Sequence, residues 1–261
     1  MFAYIQIFGR TIGMYGLCMV LGILLAGFLT IRYYKSLGQP VEDVYIVGAV
    51  GLGTAMICGN LLYIIVTYPF SYIWSLIQAG DFSFVGSGIV FYGGLIGGLV
   101  GGLFGVRLSH CKPKLFLEAV VPYIPLGHAV GRIGCLLAGC CYGMEYEGVL
   151  SVHYPNSVTG VSPEKGFFPV QPLEALLNVV ICFVLLALRK KEKGKTLVLP
   201  AYLCLYAATR FGLEFLRGDE NRGIYFGVSL SQWVSLGLLC VGVLWILLQF
   251  YTGKRKKSRG S

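Results

Sequence analysis

Long apolar blocks separated by short polar connections make up this chain. Seven of them, residues 11–31, 44–68, 84–106, 116–138, 172–188, 197–215 and 228–251, approach the ~20 residues that a helix needs to cross a hydrocarbon core. They predict an all-α membrane protein of seven transmembrane helices, built as one polytopic domain over residues 1–261. The run 13–31 has no basic segment ahead of it and no clear small-residue cleavage site, so it reads as the first spanning helix and not as a signal peptide.

The polar connections orient the bundle. Arg32 and Lys35 follow the first block, Arg107, Lys112 and Lys114 the third, five lysines or arginines from Arg189 to Lys195 the fifth, and five more from Lys254 to Arg259 the last. Fifteen of the 21 basic residues thus share one side, whereas Arg10, Lys165, Arg217 and Arg222 fall on the other and Arg132 and Arg210 lie in or near the membrane. The positive-inside rule makes the first side cytoplasmic, which puts the N-terminus outside, the C-terminus inside, and a basic tail over 252–261 in the cytoplasm. An odd number of spans requires ends on opposite sides, so count and charge agree. Outside, residues 69–83 are aromatic and nearly uncharged, with Phe70, Tyr72, Trp74 and Phe82, and 73–77 fits a short helix in the interface. Residues 142–170 form the longest polar stretch, broken by Pro155, Asn156, Pro163 and Pro169, and predict a small external head or lid.

Composition sharpens the class. A hydrophobic share of 56% against 13% charged residues is wrong for a soluble globule. The net charge of +9 does not imply nucleic acid, because its lysines and arginines sit in the loops of one side. Gly86, Gly88, Gly93, Gly94, Gly97, Gly98, Gly101, Gly102 and Gly105 give the third helix a smooth face for close helix contact. The nine cysteines show no paired zinc-ligand spacing, and most fall within apolar spans, where a cysteine acts as a small hydrophobe. No metal and no cofactor are expected.

Six ionisable residues lie in or beside the spans: Glu118, His128, Arg132, Glu174, Arg210 and Glu214. Charges there are expensive, which makes each a candidate for function. His128 and Arg132 are four apart and share a helix face, and Arg210, Glu214 and Arg217 recur at intervals of four and three on another. Pairing of Arg132 with Glu174 or Glu214 to close the bundle is the plainer role. Two guanidiniums and a histidine toward one leaflet exceed that need, and guanidiniums suit a lipid phosphate through bidentate, permanently charged hydrogen bonds. The residues therefore suggest a phospholipid headgroup site.

Several segments resemble, in order, prolipoprotein diacylglyceryl transferase, the bacterial enzyme family that lipidates the lipobox cysteine of preprolipoproteins. They are Met14-Tyr15-Gly16-Leu17, Phe91-Tyr92-Gly93-Gly94-Leu95-Ile96-Gly97, Gly131-Arg132-Ile133-Gly134 followed by Gly139 and Gly143, Pro169-Val-Gln-Pro-Leu-Glu174, Arg210-Phe-Gly-Leu-Glu-Phe-Leu-Arg217, and Ser229-Leu-Ser-Gln232. The resemblance covers most of the chain. It implies a multi-pass protein of the bacterial cytoplasmic membrane that takes phosphatidylglycerol, a preprolipoprotein lipobox segment and surrounding membrane lipids as partners. It assigns phosphatidylglycerol binding to Arg132 and the second essential arginine to Arg210, with Glu214 and Arg217 continuing that segment and Tyr15, Gly93, Gly94, Gly131, Gly134 and Gly143 lining the site. The implied reaction is attack of the acceptor thiolate on the glycerol carbon that bears the phosphate ester. The arginines would stabilise the departing phosphate, and a base would ionise the thiol.

Three positions depart from the family pattern. Tyr92 stands where the family carries a histidine, Cys135 where it carries an asparagine, and Cys140 where it carries the signature glutamate. A tyrosine, with a pKa of about 10, is a poorer base than histidine at neutral pH, so His128, one turn from Arg132, is the other candidate base. Cys140 and Cys141 are read as small residues packing a crowded helix end, with redox activity or metal binding as the competing reading. The alternative function is a lipid-binding or thiol-sensing membrane protein that keeps the bundle without catalysis. A small-solute transporter is disfavoured, since no inverted repeat relates the two halves.

Overall fold

The computed structural model describes residues 3–7, 9–191, 194–218 and 224–258. Lys193, Arg222, Arg259 and the side chains of the basic tail expected over 252–261 lie outside the described residues. A hairpin of β1 (Tyr4–Ile7) and β2 (Arg10–Gly13), with Gln6 opposite Thr11, leads into α1 (Met14–Ser36). Then follow α2 (Glu42–Thr67), the short α3 (Phe70–Gln78), α4 (Phe91–Leu108) and α5 (Pro113–Val120), which continues through one tight turn into α6 (Ile124–Ala138). The remainder is α7 (Val170–Arg189), α8 (Val198–Leu213), a two-residue hairpin of β3 (Ile224–Tyr225) and β4 (Val228–Ser229), and α9 (Leu230–Ser258).

Among the described residues seven helical segments are long and apolar enough to cross a membrane: α1, α2, α4, α5 with α6, α7, Lys195–Leu216 and Leu230–Tyr251. They coincide with the seven apolar blocks, and the chain is a multi-pass membrane protein. Large side chains point away from the protein along them, Leu24 and Ile65 being 61% and 71% exposed, which is the arrangement that lipid favours. Several expected boundaries shift: α1 runs on to Ser36 where 31 was expected, and Val228 and Ser229 belong to β4 and not to the last helix. Residues 11–13 belong to β2 and not to the first helix. The third helix begins at Phe91 and not at 84, because Gly86 adopts a φ of 83° and Asn60 Nδ2 donates to the Gly88 carbonyl at 2.8 Å, which holds the segment out of a helix. The fourth span is interrupted at Val121–Tyr123, where Pro122 and then Pro125 have no N–H to give to a continuous ladder.

The chain packs as two compact units, Met1–Thr30 with Leu117–Ser261, and Ile31–Phe116. In the second unit Gly93, Gly97, Gly101 and Gly105 form the buried face of α4, one residue per turn, directly against the α2 backbone. A Cβ on Gly97 would stand 2.5 Å from the Thr54 carbonyl oxygen, so only hydrogen fits there. Thr54 Oγ1 uses that proximity to donate to the Gly97 carbonyl at 2.8 Å. Near the far end of the unit the Tyr34 hydroxyl donates to Asp43 at 3.0 Å, and its ring meets Phe116 edge-on.

In the first unit Val121, Ile181, Leu185 and Val198 form a buried core. Ser229 and Gln232 make a reciprocal cap at the start of α9: the Gln232 N–H donates to Ser229 Oγ at 3.2 Å and the Ser229 N–H to Gln232 Oε1 at 3.0 Å. Thus Ser229-Leu-Ser-Gln232 is first a helix start. At the opposite end of α7, Arg189 lies over the Tyr123 ring and donates to its hydroxyl at 3.0 Å.

Candidate functional site

The small residues of α6 explain how a charged side chain comes to lie inside this unit. Gly127, Gly131 and Gly134 recur at four and three and face α1, where Cβ atoms would stand 3.0 Å from the Gly22 carbonyl oxygen, 3.0 Å from Met19 Sδ and 2.7 Å from Cys18 Cβ respectively. Because α1 approaches that closely on one face, the other face of α6 carries its two large polar side chains, His128 and Arg132, toward α7. A polar stripe on α7, Gln171, Glu174 and Asn178, is buried at the same helical spacing.

Arg132, 8% exposed, gives Nη2 to Glu174 Oε2, while His128 Nε2 lies 3.7 Å from Glu174 Oε1. One turn on, Asn178 Nδ2 donates to the Glu174 backbone carbonyl at 2.8 Å. Arg132 Nη1 also points at Cys135 Sγ, 3.8 Å away. The second arginine repeats the arrangement: Arg210 Nη2 is 2.9 Å from Glu214 Oε2, and the Ser231 and Ser229 hydroxyls donate to that carboxylate. Each guanidinium is therefore charge-compensated, as a buried cation must be. Each also keeps a buried donor with no hydrogen-bond partner among the described residues, Nε of Arg132 and Nη1 of Arg210. His128 stands within electrostatic reach of Arg132, Arg210 and Glu174, with its ring 5.7 Å from that of Tyr206.

The segment after α6 builds a small cap on this arrangement. Gly143 bridges to Arg217, the Met144 N–H donates to the Leu216 carbonyl at 2.9 Å, and the Phe168 N–H donates to the Met144 carbonyl at 2.9 Å. Gly143 leaves no room for a side chain, because a Cβ would strike the Phe168 carbonyl. The Tyr142, Tyr154 and Phe167 rings cluster behind it at tilted angles. Gln171, fully buried, donates to the Cys140 carbonyl at 2.9 Å and exchanges hydrogen bonds with the Tyr154 hydroxyl, whose pKa burial pushes above the ordinary tyrosine value. Beneath lie three thiols, Cys135, Cys140 and Cys141, with every Sγ within 4.8 Å of the other two. Hydrogen bonds from Cys135 and then Cys140 hold the Cys141 thiol well below the usual cysteine range.

A family model for prolipoprotein diacylglyceryl transferase matches residues 3–248. This chain belongs to the prolipoprotein diacylglyceryl transferase family. Among relatives, a phosphatidylglycerol--prolipoprotein diacylglyceryl transferase of Clostridium tetani (strain Massachusetts / E88) is 32% identical, over 91% of this chain and 93% of its own length. One numbered 2 from Clostridium perfringens (strain 13 / Type A) is 31% identical over 96% of both chains.

Of the candidate site residues, the fold gathers His128, Arg132, Tyr15, Gly131 and Gly134 on α1 and α6, and Arg210, Glu214, Arg217 and Gly143 at the end of α8 and the cap. Tyr92, Gly93 and Gly94 begin α4 in the other unit, where Gly93 serves contact with α2 at Cys58 and Gly59 and the Tyr92 ring lies 5.7 Å from Phe91. The plainer role anticipated for the charges is also present, because both arginines are paired with carboxylates. Two features of the site were not legible in the sequence. Gln171 and Tyr154 are separated by a polar loop, with no spacing to link them. The convergence of Cys135 with Cys140 and Cys141 was hinted at by vicinal thiols one turn past a third.

Proposed function

We propose that this transferase-family chain moves the diacylglyceryl group of phosphatidylglycerol to the lipobox cysteine thiol of preprolipoproteins. In this reading it works at the outer face of a bacterial cytoplasmic membrane, with its N-terminus outside, its basic C-terminus in the cytoplasm and residues 142–170 as an external head. The observation that carries the chemistry is a buried arginine, Arg132, and a part-buried one, Arg210, each held by a carboxylate and each retaining a buried donor without a hydrogen-bond partner among the described residues. Glu174 and Glu214 fix the two guanidiniums and lower the cost of keeping them in an apolar bundle, while Arg132 Nε and Arg210 Nη1 remain for phosphate oxygens.

The acceptor thiolate attacks the glycerol carbon next to the phosphate ester; the C–S bond forms as the C–O bond breaks, and glycerol phosphate leaves with the electron pair. Charge grows on the departing oxygen, which is where prearranged cationic donors contribute most. Tyr15, Gly131, Gly134 and Gly143, with Glu214 and Arg217, line or support the lipid site; Gly93, Gly94 and Tyr92 are assigned to it by the family pattern. His128, hydrogen-bond distance from no carboxylate oxygen but 3.7 Å from Glu174, is the favoured base, with Tyr92 second.

Purified protein incubated with phosphatidylglycerol and a lipobox peptide is expected to add a diacylglyceryl mass to the peptide cysteine. Arg132→Ala and Arg210→Ala should each abolish the shift while the protein still accumulates in membranes. Full activity in both variants would end the phosphate-site argument. Lipid binding without any transfer would favour the non-catalytic, thiol-sensing reading.

A further inference from the structure

We infer that Cys135, Cys140 and Cys141 bind one Zn2+ ion and that its fourth coordination position takes the acceptor thiol. The backbone is shaped to bring these sulfurs together. Gly139 ends α6 with a φ of 70°, its N–H donating to the Leu136 carbonyl at 3.3 Å and the next N–H, of Cys140, reaching back to the Cys135 carbonyl at 3.1 Å. That reversal lays Cys140 over Cys135, with Cys140 Sγ 3.8 Å from the Cys135 carbonyl oxygen. Cys141 then takes a φ of 56°, a left-handed conformation that side chains other than glycine rarely adopt and that is found where function or packing enforces it. Packing alone explains small residues here, not three thiols aimed at one point.

The distances suit a metal better than a cross-link. All nine cysteines are free. Three sulfurs within 4.8 Å of one another need little closure to surround one ion, since Zn–S bonds of about 2.3 Å set tetrahedral neighbours about 3.8 Å apart. A disulfide needs about 2.05 Å. Three thiolates and Zn2+ carry a net charge of −1, and cations adjoin them: Arg132 Nη1 is 3.8 Å from Cys135 Sγ, and Arg217 acts on Cys141. Cys135 is buried, but Cys140 and Cys141 are only partly covered, which leaves an approach for a fourth ligand.

Three protein ligands with an open position is the arrangement of catalytic zinc, not of closed structural sites. The inference rests on the acceptor-thiol chemistry proposed above and supplies what that reaction needs. On entering the fourth position the acceptor R–SH gives its proton to the base proposed above, His128, and becomes a zinc-held thiolate. It then attacks the glycerol carbon and forms the C–S bond, and the phosphate ester oxygen leaves with the C–O electrons, beside Arg132. No oxidant or reductant enters.

The test uses the full chain in phosphatidylglycerol-containing nanodiscs under reductant. Metal analysis is expected to find about one Zn2+ per chain, with Cys140→Ser and Cys141→Ser each weakening binding at least about tenfold and Cys240→Ser leaving it unchanged. In the wild type, Zn2+ should also protect residues 140 and 141 from maleimide, a reading that requires no variant to fold. With Co2+ as the spectroscopic probe, adding a lipobox peptide should raise the sulfur-to-metal band by about a third, as a fourth thiolate joins three, and a peptide with serine for cysteine should not. Retention of Zn2+ in both cysteine variants, loss of the 140 and 141 thiols to a disulfide in place of metal, or full lipidation by metal-free protein would overturn the inference. If metal binds and the peptide ligates it but no diacylglyceryl group is transferred, the zinc site stands and the transferase reading falls.

Discussion

Replacing Glu174 with glutamine separates the two roles that the Arg132 pair can have. The carboxylate is 3% exposed and the guanidinium it faces 8%, so Glu174→Gln leaves a buried cation without its countercharge. Removing one partner of a buried pair costs about 3–5 kcal/mol, and the glutamine oxygen returns about 1 kcal/mol as a hydrogen bond, leaving about 2–4 kcal/mol. At about 2–4 °C per kcal/mol for a chain of this size, thermal unfolding in detergent, followed by tryptophan fluorescence, should shift down by roughly 4–16 °C. Arg132→Met combined with Glu174→Leu removes both charges and should unfold within a few degrees of the wild type. Phosphatidylglycerol supplies an anion to the orphaned guanidinium, so it should restore much of the Glu174→Gln loss, whereas diacylglycerol, with no phosphate, should not. If the double variant lost as much as its single changes added together, or if both lipids restored stability equally, the reasoning about Arg132 would be refuted.

Other consequences are smaller in scope. Gly97→Val forces a side chain into the Thr54 carbonyl and the Cys58 side chain of α2, an overpacking of about 1–3 kcal/mol or more, whereas Gly102→Ala meets nothing within 4 Å; membrane accumulation of the two variants should differ sharply. Ser229→Ala removes the cap of α9 and a hydroxyl bound to Glu214, so it should lower stability by about 1 kcal/mol and, through Arg210, reduce transfer without abolishing it. Tyr154→Phe leaves the fully buried Gln171 amide short of a partner and should cost about 1–3 kcal/mol, measurable as easier proteolysis of residues 142–170. Burial raises the Tyr154 pKa in the folded protein; its contribution is therefore complete below the ordinary tyrosine value of about 10 and is lost as pH rises through the higher folded value. Residues 142–170 should loosen at alkaline pH in the wild type, and a Tyr154→Phe melt should show less of that dependence.

Sequence alone determined the helices and their number. A bilayer leaves backbone polar groups nowhere to bond except within a helix, so a run of about 20 apolar residues is enough to specify a span. The same logic exposed Arg132, Arg210, His128, Glu174 and Glu214, because a charge in such a run stands out against its surroundings. The glycines of α4 were likewise legible as a contact face, since spacing on a helix is geometry. What spacing does not contain is the identity of a partner on another helix. That Arg132 meets Glu174 and Arg210 meets Glu214, and not the reverse, follows from α7 lying against the polar face of α6 while α1 occupies its glycine face. That Gln171 holds Tyr154 follows from a loop folding back through backbone pairs that any sequence of suitable size can make. The convergence of three thiols needed both a left-handed turn at Gly139 and a strained Cys141, conformations set by the surrounding tertiary contacts. Local propensity names the segments; which side chains face each other is decided by how the segments pack.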